Sequence, residues 1–379
     1  MSHVEKLTKP EQYPLFAKAE PYRESYVAVS EAPPHRLYVA EYGNPNGEPL
    51  LYIHGGPGAG ISPEHLRLID PKRYHIIAYD QRGCGKSTFG EAQITSETLA
   101  QHMIDGTDIS HEMQAMLADN TTGHLVDDII ALRAHLGIKP EKKMHLFAGS
   151  WGTTLALNYA IKYPETVQSM VLRGIYLSRK QDNQWTSQGN AADLNNTTIA
   201  GAHLFFPEAW KDYVAFIPPE ERNDMVGAYL KRMRDGDNAT RIAACQKFQL
   251  WEDALSFLHP HPPETLDGND ALQAIPCSAI ELTYVQHGCF MPENYILDNL
   301  ARISHIPTTI IHGRYDTLTP LNGANALAER WKQIDPEHAP KFVITTASHA
   351  AMDEENKKAL LTATNPHISF EAPQPSASR

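Results

Sequence analysis

The sequence predicts an α/β protein: a mostly parallel central sheet flanked by helices, interrupted by an inserted, mostly helical segment. Three observations carry this expectation. Short apolar runs recur along the chain, each closing on a loop rich in Gly, Asp or His. Helical periodicity fills several of the intervals between them. One long stretch, from about Tyr176 to Pro292, has helical patterns and no comparable strand runs. Continuous apolar runs suit strands buried on both faces, as in parallel sheets, and an order of strand, loop, helix, strand is what such sheets require.

The elements follow in order. Leu50 to Ile53 leads into His54-Gly55-Gly56-Pro57-Gly58, and Tyr74 to Tyr79 into Asp80-Gln81-Arg82-Gly83. Leu125 to Leu136 has helical spacing. Met144 to Phe147 then leads into Ala148-Gly149-Ser150-Trp151-Gly152, followed by a helical pattern over Thr153 to Tyr163. Ser169 to Leu172 ends on Arg173-Gly174. In the insertion, Trp210 to Phe216, Met225 to Met233 and Ile242 to Leu255 read as helices, with a rigid loop at Pro260, Pro262 and Pro263. Beyond it, Thr308 to Ile311 leads into His312-Gly313-Arg314-Tyr315-Asp316, and Lys341 to Thr345 into Ser348-His349. The expected division is a first core part over 1–175, a helical cap over 176–292, a second core part over 293–370, and a polar, Pro-rich, disordered tail over 371–379. In such sheets chemistry gathers beyond the carboxyl ends of the strands, where all these loops fall.

Composition narrows the function classes. A chain of 379 residues, 42% hydrophobic and 21% charged, can bury a sizeable core. Its formal net charge of -12 argues against non-specific binding to nucleic acid or an anionic membrane, which both want surplus Lys and Arg. The polar N-terminus, broken by Pro10 and Pro14, has no signal-peptide apolar region, and no run approaches a membrane-spanning length. Cys84, Cys245, Cys277 and Cys289 lack paired spacing and read as free thiols, which points to the cytoplasm.

The candidate nucleophile is Ser150, between a strand and a helix with small neighbours. A sharp nucleophile-bearing turn has the pattern Gly-x-Ser-x-Gly, because bulk two residues to either side would clash. Gly152 keeps the second glycine and Ala148 replaces the first. The chain order of nucleophile, acid and histidine is that of α/β-hydrolases, and it selects Asp316 and His349, each just past a predicted strand. His349 would take the serine proton near neutrality, and Asp316 would fix its tautomer. The loop after the first of these strands offers a backbone N–H to an oxyanion, favouring Gly56 over the adjacent Gly55, which is placed beside the substrate. The N–H of Trp151 is the second donor.

Other motifs fail. Gly85-Lys86-Ser87 resembles the end of a P-loop, but the required upstream glycine is Asp80. His111-Glu112 lacks a second histidine at zinc-protease spacing, and His259 and His261 read as solvent-facing. Asp80 and Arg82 read as organisers of their own turn. No metal site and no cofactor are expected.

At this level of detail the chain resembles the proline iminopeptidases, or prolyl aminopeptidases, within the α/β-hydrolases. The matching runs are HGGPGAGISPEH from His54, DQRGCGKS from Asp80, NTTGHLVDDI from Asn120, GSWGTTLAL from Gly149, VLRGIYLSRK from Val171, FFPEAW from Phe205 and HGRYDTLTP from His312. Together they cover most of the chain from about Arg36 to Ala350. The resemblance implies a hydrolase core with a helical cap, no cofactor, and release of an N-terminal residue, preferably proline, from a peptide or amide with a free N-terminus. It implies that cap glutamates hold the substrate ammonium, and Glu252 in LWED and Glu281 in SAIEL match them. Arg173 and Tyr176 match the run beside the pocket, where Tyr176 either packs on a pyrrolidine ring or serves the core. Ala148, Gly123 (where the family often has Trp), and two segments resembling insertions, about 89–119 and 191–204, depart from the pattern and bear on substrate. An esterase, lactonase or biosynthetic amidase with a remodelled cap, and a non-catalytic binding protein, stand as alternatives.

Overall fold

The apolar runs form strands because the chain buries both of their faces. The computed structural model describes residues 14–196, 198–258 and 268–365, and its strands are β1 (Arg23–Glu31), β2 (Pro34–Gly43), β3 (Glu48–Ile53), β4 (Tyr74–Tyr79), β5 (Thr88–Phe89), β6 (Ile94–Thr95), β7 (Met144–Gly149), β8 (Val167–Arg173), β9 (Thr308–Gly313) and β10 (Lys341–Thr345). They make one sheet in the order β10-β9-β8-β7-β3-β4-β2-β5-β6, with β1 on β2. From β4 through β10 along this path the pairings are parallel. At the other end β2 runs antiparallel to β4, β5 and β1. Tyr52 pairs with Phe147, and Ala148 with Leu172, so the loops after β3, β7 and β8 open on one edge.

Side chains alternate between two cores, as the strand period of two requires. Leu51, Ile53, Ile77, Leu146 and Leu172 face one way and pack with helices Thr122–His135 and Trp151–Lys162. Leu50, Tyr52, Ile76, Phe147 and Ile311 face the other, against the helical turn Pro63–Leu66 and helix Glu354–Thr364. Each fully buried aliphatic side chain contributes about 1.5–3 kcal/mol, so this two-sided burial holds the strand ends, and the loops on them, in place.

Between β8 and β9 the described residues contain no strand. Helices Pro207–Ala215, Met225–Asp235, Asn238–Ser256 and Gly268–Gln286 occupy this interval. Their own core is aromatic: the Tyr213 and Tyr229 rings stack at 4.7 Å, and Trp210 meets Trp251 at 5.1 Å. The segment 89–119 forms helices Ser96–Ile104 and Ser110–Leu117, which lie against this helical group. Asn238 donates to the carbonyls of Met103 and Thr107, and Arg241 Nη2 to Ser110 Oγ at 2.9 Å. In 191–204, the helical turn Ala202–Leu204 sets His203 on the Trp210 ring.

His259, Pro260, His261, Pro262, Pro263 and the tail 371–379 lie outside the described residues. Among those described, no helix is long and apolar enough to cross a membrane. The four cysteines are unbridged.

Candidate active site

Ser150 stands between β7 and helix Trp151–Lys162 with φ +56° and ψ −132°, a conformation that non-glycine residues rarely adopt. Its N–H donates to Arg173 O at 2.8 Å, and its carbonyl accepts from Thr153 N–H and Oγ1. The turn explains its neighbours. A Cβ on Gly152 would sit 2.4 Å from Ile53 O, and one on Gly149 2.4 Å from Arg173 Nη2. Ala148, the departure from the Gly-x-Ser-x-Gly pattern, has its methyl group packed into the core. The replacement thus falls where a methyl is accommodated, and the second glycine is kept where nothing larger fits.

Asp316 and His349 come together from the loops after β9 and β10. His349 Nδ1 lies 2.8 Å from Asp316 Oδ2. Thr319 closes the group: its Oγ1 donates to Asp316 Oδ2 at 3.0 Å and lies 3.1 Å from His349 Nδ1, while its N–H and that of Leu318 donate to Asp316 Oδ1. Burial alone would raise the Asp316 carboxyl. The charge and hydrogen bond of His349, with His312 and the Thr319 N–H, outweigh it and hold the carboxyl below its usual range. His312 backs this acid. Its Nδ1 accepts from Ile175 N–H, so its Nε2–H donates to Thr319 O at 2.7 Å, and burial lowers its pKa and favours this neutral form. Arg173 donates from Nη1 to His349 O at 2.8 Å, fixing the backbone of the histidine loop.

The Gly-rich loop after β3 lies directly over the serine. A Cβ on Gly55 would approach Ser150 Cβ to 3.1 Å; Gly56 has φ +103°, with no room for a side chain against the Gly58 and Ala59 amides. Trp151 opens its helix, so its N–H is among the four that a helix cannot pair internally. Gln81 joins the two segments. Its Nε2 donates to His54 O at 3.0 Å, its Oε1 accepts from Trp151 Nε1 at 3.2 Å, and its N–H donates to His54 Nε2. Asp80 and Arg82 do more than shape their own turn: Asp80 accepts from the Ile61 and Lys86 N–H groups, and Arg82 forms a two-pronged ion pair with Asp128 and reaches Asp119 O.

His54, Asp80 and Cys84 bring potential metal-ligand atoms within 4.8 Å of one another. Their lone pairs are committed, however. Both Asp80 oxygens and His54 Nε2 accept backbone N–H groups, and burial holds the Cys84 thiol far above its usual pKa. The donor set suits a hydrogen-bonded support rather than an ion.

A cavity of about 280 Å³ opens beside Ser150, His349, Gly55 and Gly56, with Gln249, Glu252, Cys277 and Glu281 reaching it from the helical segment. Glu252 and Glu281 are hydrogen-bonded to each other. Burial, and for Glu281 the neighbouring Glu252 charge, push both carboxyls up, so the pair retains a proton near neutrality. A small adjoining lobe of about 40 Å³ also touches Gly56, Ser150 and both glutamates, and is walled by Trp151, Tyr176, Phe248, Val285 and Leu318. Tyr176 is half-buried there, with its hydroxyl on Asn183 Oδ1.

The structure thus gathers Ser150, Gly55, Gly56, Arg173, Glu252, Glu281 and His349 around one cavity. Asp316 stands behind His349, and Trp151 and Tyr176 wall the adjoining lobe. Sequence reading passed over Gln81, His312 and Thr319. Thr319 had a local signal, a hydroxyl residue three positions after an aspartate that begins a turn; Gln81 and His312 had none.

The parallel sheet, the strained serine turn and the order of Ser150, Asp316 and His349 define an α/β-hydrolase, and a family model of the α/β hydrolase fold matches residues 48–356. The chain is 36% identical over 355 residues to the proline iminopeptidase of Xylella fastidiosa (strain 9a5c), covering 93% of this chain and 99% of that protein. It is likewise 36% identical over 339 residues to the proline iminopeptidase of Arabidopsis thaliana, covering 89% and 77%. A crystal structure of a membrane phospholipase A aligns with 90% of this chain and 84% of its own at 18% identity and a TM-score of 0.52, a likeness of fold alone. The chain belongs to the proline iminopeptidase family of the α/β-hydrolases.

Proposed function

We propose that this chain is a serine exopeptidase that releases an N-terminal proline, or a similar residue, from peptides or amides through an acyl-enzyme. The observation that carries this reading is the buried pair Glu252 and Glu281 in the same cavity as Ser150 and His349. An ammonium entering that cavity loses its hydration, and carboxylates at close range replace it. It displaces the proton that the pair retains. A blocked N-terminus offers neither charge nor donors enough to do so, which makes the cleavage exopeptidic.

Ser150 Oγ attacks the carbonyl of the first residue while His349 Nε2 takes its proton. The Nδ1–H of His349 stays on Asp316, whose low pKa keeps it ionised and able to stabilise the imidazolium. The oxyanion rests on the Gly56 and Trp151 N–H groups. When the C–N bond breaks, the departing amine takes the proton from His349. Water then gives a proton to His349 and attacks the acyl-enzyme; the proton returns to Ser150 Oγ as the amino acid leaves. The apolar walls of the small lobe, Tyr176 and Phe248 among them, suit a pyrrolidine ring beside the glutamates.

In this reading residues 176–292 act as the cap over a core made from 1–175 and 293–370. The working partner is a small peptide or amide with a free N-terminus, rather than nucleic acid or membrane, in the cytoplasm where free thiols persist. A serine-directed fluorophosphonate should label Ser150 on peptide mapping, and Ser150→Ala should lower proline arylamide turnover by about 10⁴-fold or more. Near-normal turnover in Ser150→Ala would overturn the assignment.

A further inference from the structure

We propose that the sheet-side end of the active-site cavity, walled by Tyr52, His65, Phe147 and Arg173, is a subsite for the C-terminal carboxylate of a dipeptide substrate. This inference rests on the exopeptidase reading and names the substrate form that the site fits best. The cavity has two chemically opposite ends. Glu252 and Glu281 lie at one, and at the other it passes Ser150, His349 and Gly55 to reach the sheet face beneath the Gly-rich loop.

Arg173 is only 7% exposed. Its Nη1 is used on His349 O, whereas Nε and Nη2 donate to no acceptor among the described residues; the Asp316 and Asp353 charges act on the guanidinium from nearby without forming an ion pair with it. Its Nη2 lies against Gly149, next to the nucleophile. A buried cation with free donors is costly unless an anion reaches it. His65 adds a donor. Tyr52 OH donates to His65 Nδ1, 3.1 Å away, in the tautomer that carries the ring proton on Nε2. Burial, with Arg173 and His349 nearby, keeps the His65 ring neutral, which leaves its proton on Nε2. Arg173 and His65 therefore present only N–H groups, with no carboxylate among the residues lining this end.

An extended dipeptide spans about 7 Å. With its ammonium on the glutamates and its first carbonyl at Ser150, the second residue points to the sheet-side end, where a guanidinium accepts a carboxylate on two donors. Amidation of that carboxylate removes the charge. The acidic chain would favour the resulting cation at long range, so a preference for the free acid reports local recognition.

The test compares kcat/KM for Pro-Ala and Pro-Ala amide at neutral pH, with proline arylamide as a reference, in wild type and His65→Leu. The free acid should be favoured by about tenfold or more, mostly through KM, as expected for a charge-assisted hydrogen-bonded contact, and His65→Leu should narrow the ratio severalfold. Equal kcat/KM for acid and amide while proline arylamide is still cleaved would overturn the carboxylate subsite and leave the exopeptidase standing. An unchanged ratio in His65→Leu would also overturn it. Failure to cleave proline arylamide at all would overturn both.

Discussion

Ser150 and the two cavity glutamates are held in surroundings that cost the fold free energy. Ser150 is held in a left-handed conformation worth about 1–3 kcal/mol of strain, and Glu252 and Glu281 sit desolvated side by side. Because burial raises both carboxyl pKa values, the native state binds protons more tightly than the unfolded chain. No penalty exists below the unfolded pKa near 4.5; it grows as pH rises through the folded values, and is full above them. Glutamine resembles the protonated form. Glu281→Gln should therefore raise thermal stability at pH 8, on the order of 1–3 kcal/mol, and change it little at pH 4.5. Thermal melts at both pH values measure this, and a variant less stable at pH 8 than wild type would contradict the pair's assignment. The gain should come with weaker substrate binding, since in the proposed function the lost charge is the one that meets the ammonium.

At the scale of elements, the site depends on loops held by strand ends and on one side chain that spans two of them. Gln81 ties His54 O to the Trp151 indole, and so fixes the relative position of the Gly56 and Trp151 segments. Gln81→Ala leaves both partners unpaired in the interior, at about 1–3 kcal/mol. Its kcat for proline arylamide should fall about tenfold or more with little change in KM, because the proposed oxyanion donors, the Gly56 and Trp151 N–H groups, would act in the transition state. A raised KM at unchanged kcat would contradict that role. The central strands were legible because two-sided burial makes them continuous apolar runs. The antiparallel pair β1 and β2 was not: β1 pairs only with β2, is largely exposed, and carries polar residues between its apolar ones. Helix Gly268–Gln286 was hidden by Pro276 in its interior, a residue that ordinarily ends a helical pattern. Glu281 on that helix was found through family likeness rather than through periodicity.

For the whole molecule, the cavity exists because the helical segment between β8 and β9 lies over the sheet's carboxyl edge, and 89–119 props that segment from the side. Leu99, Met103, Met113 and Met116 are buried in this support, and Asn238 and Arg241 join it by hydrogen bonds. Asn238→Ala should destabilise the fold by about 1–2 kcal/mol and raise KM for proline arylamide more than it lowers kcat. An unchanged KM in a measurably destabilised variant would contradict the propping role. Sequence placed the candidate residues along the chain but not at their distances across the cavity: Ser150, Glu252, Asp316 and His349 are scattered over some two hundred residues, and only the open sheet and the helical segment over it bring them together. The same scale supplies the most direct test of the central claim, that one cavity reads a free N-terminus and cleaves beside it. Steady-state hydrolysis of proline arylamide and its N-acetylated counterpart should be compared in wild type and Glu252→Gln. Cleavage of the free amine alone, with kcat/KM weakened by about tenfold or more in Glu252→Gln, is the expected result. Equal cleavage of both substrates would contradict the account, leaving a serine hydrolase that does not read its substrate's ammonium.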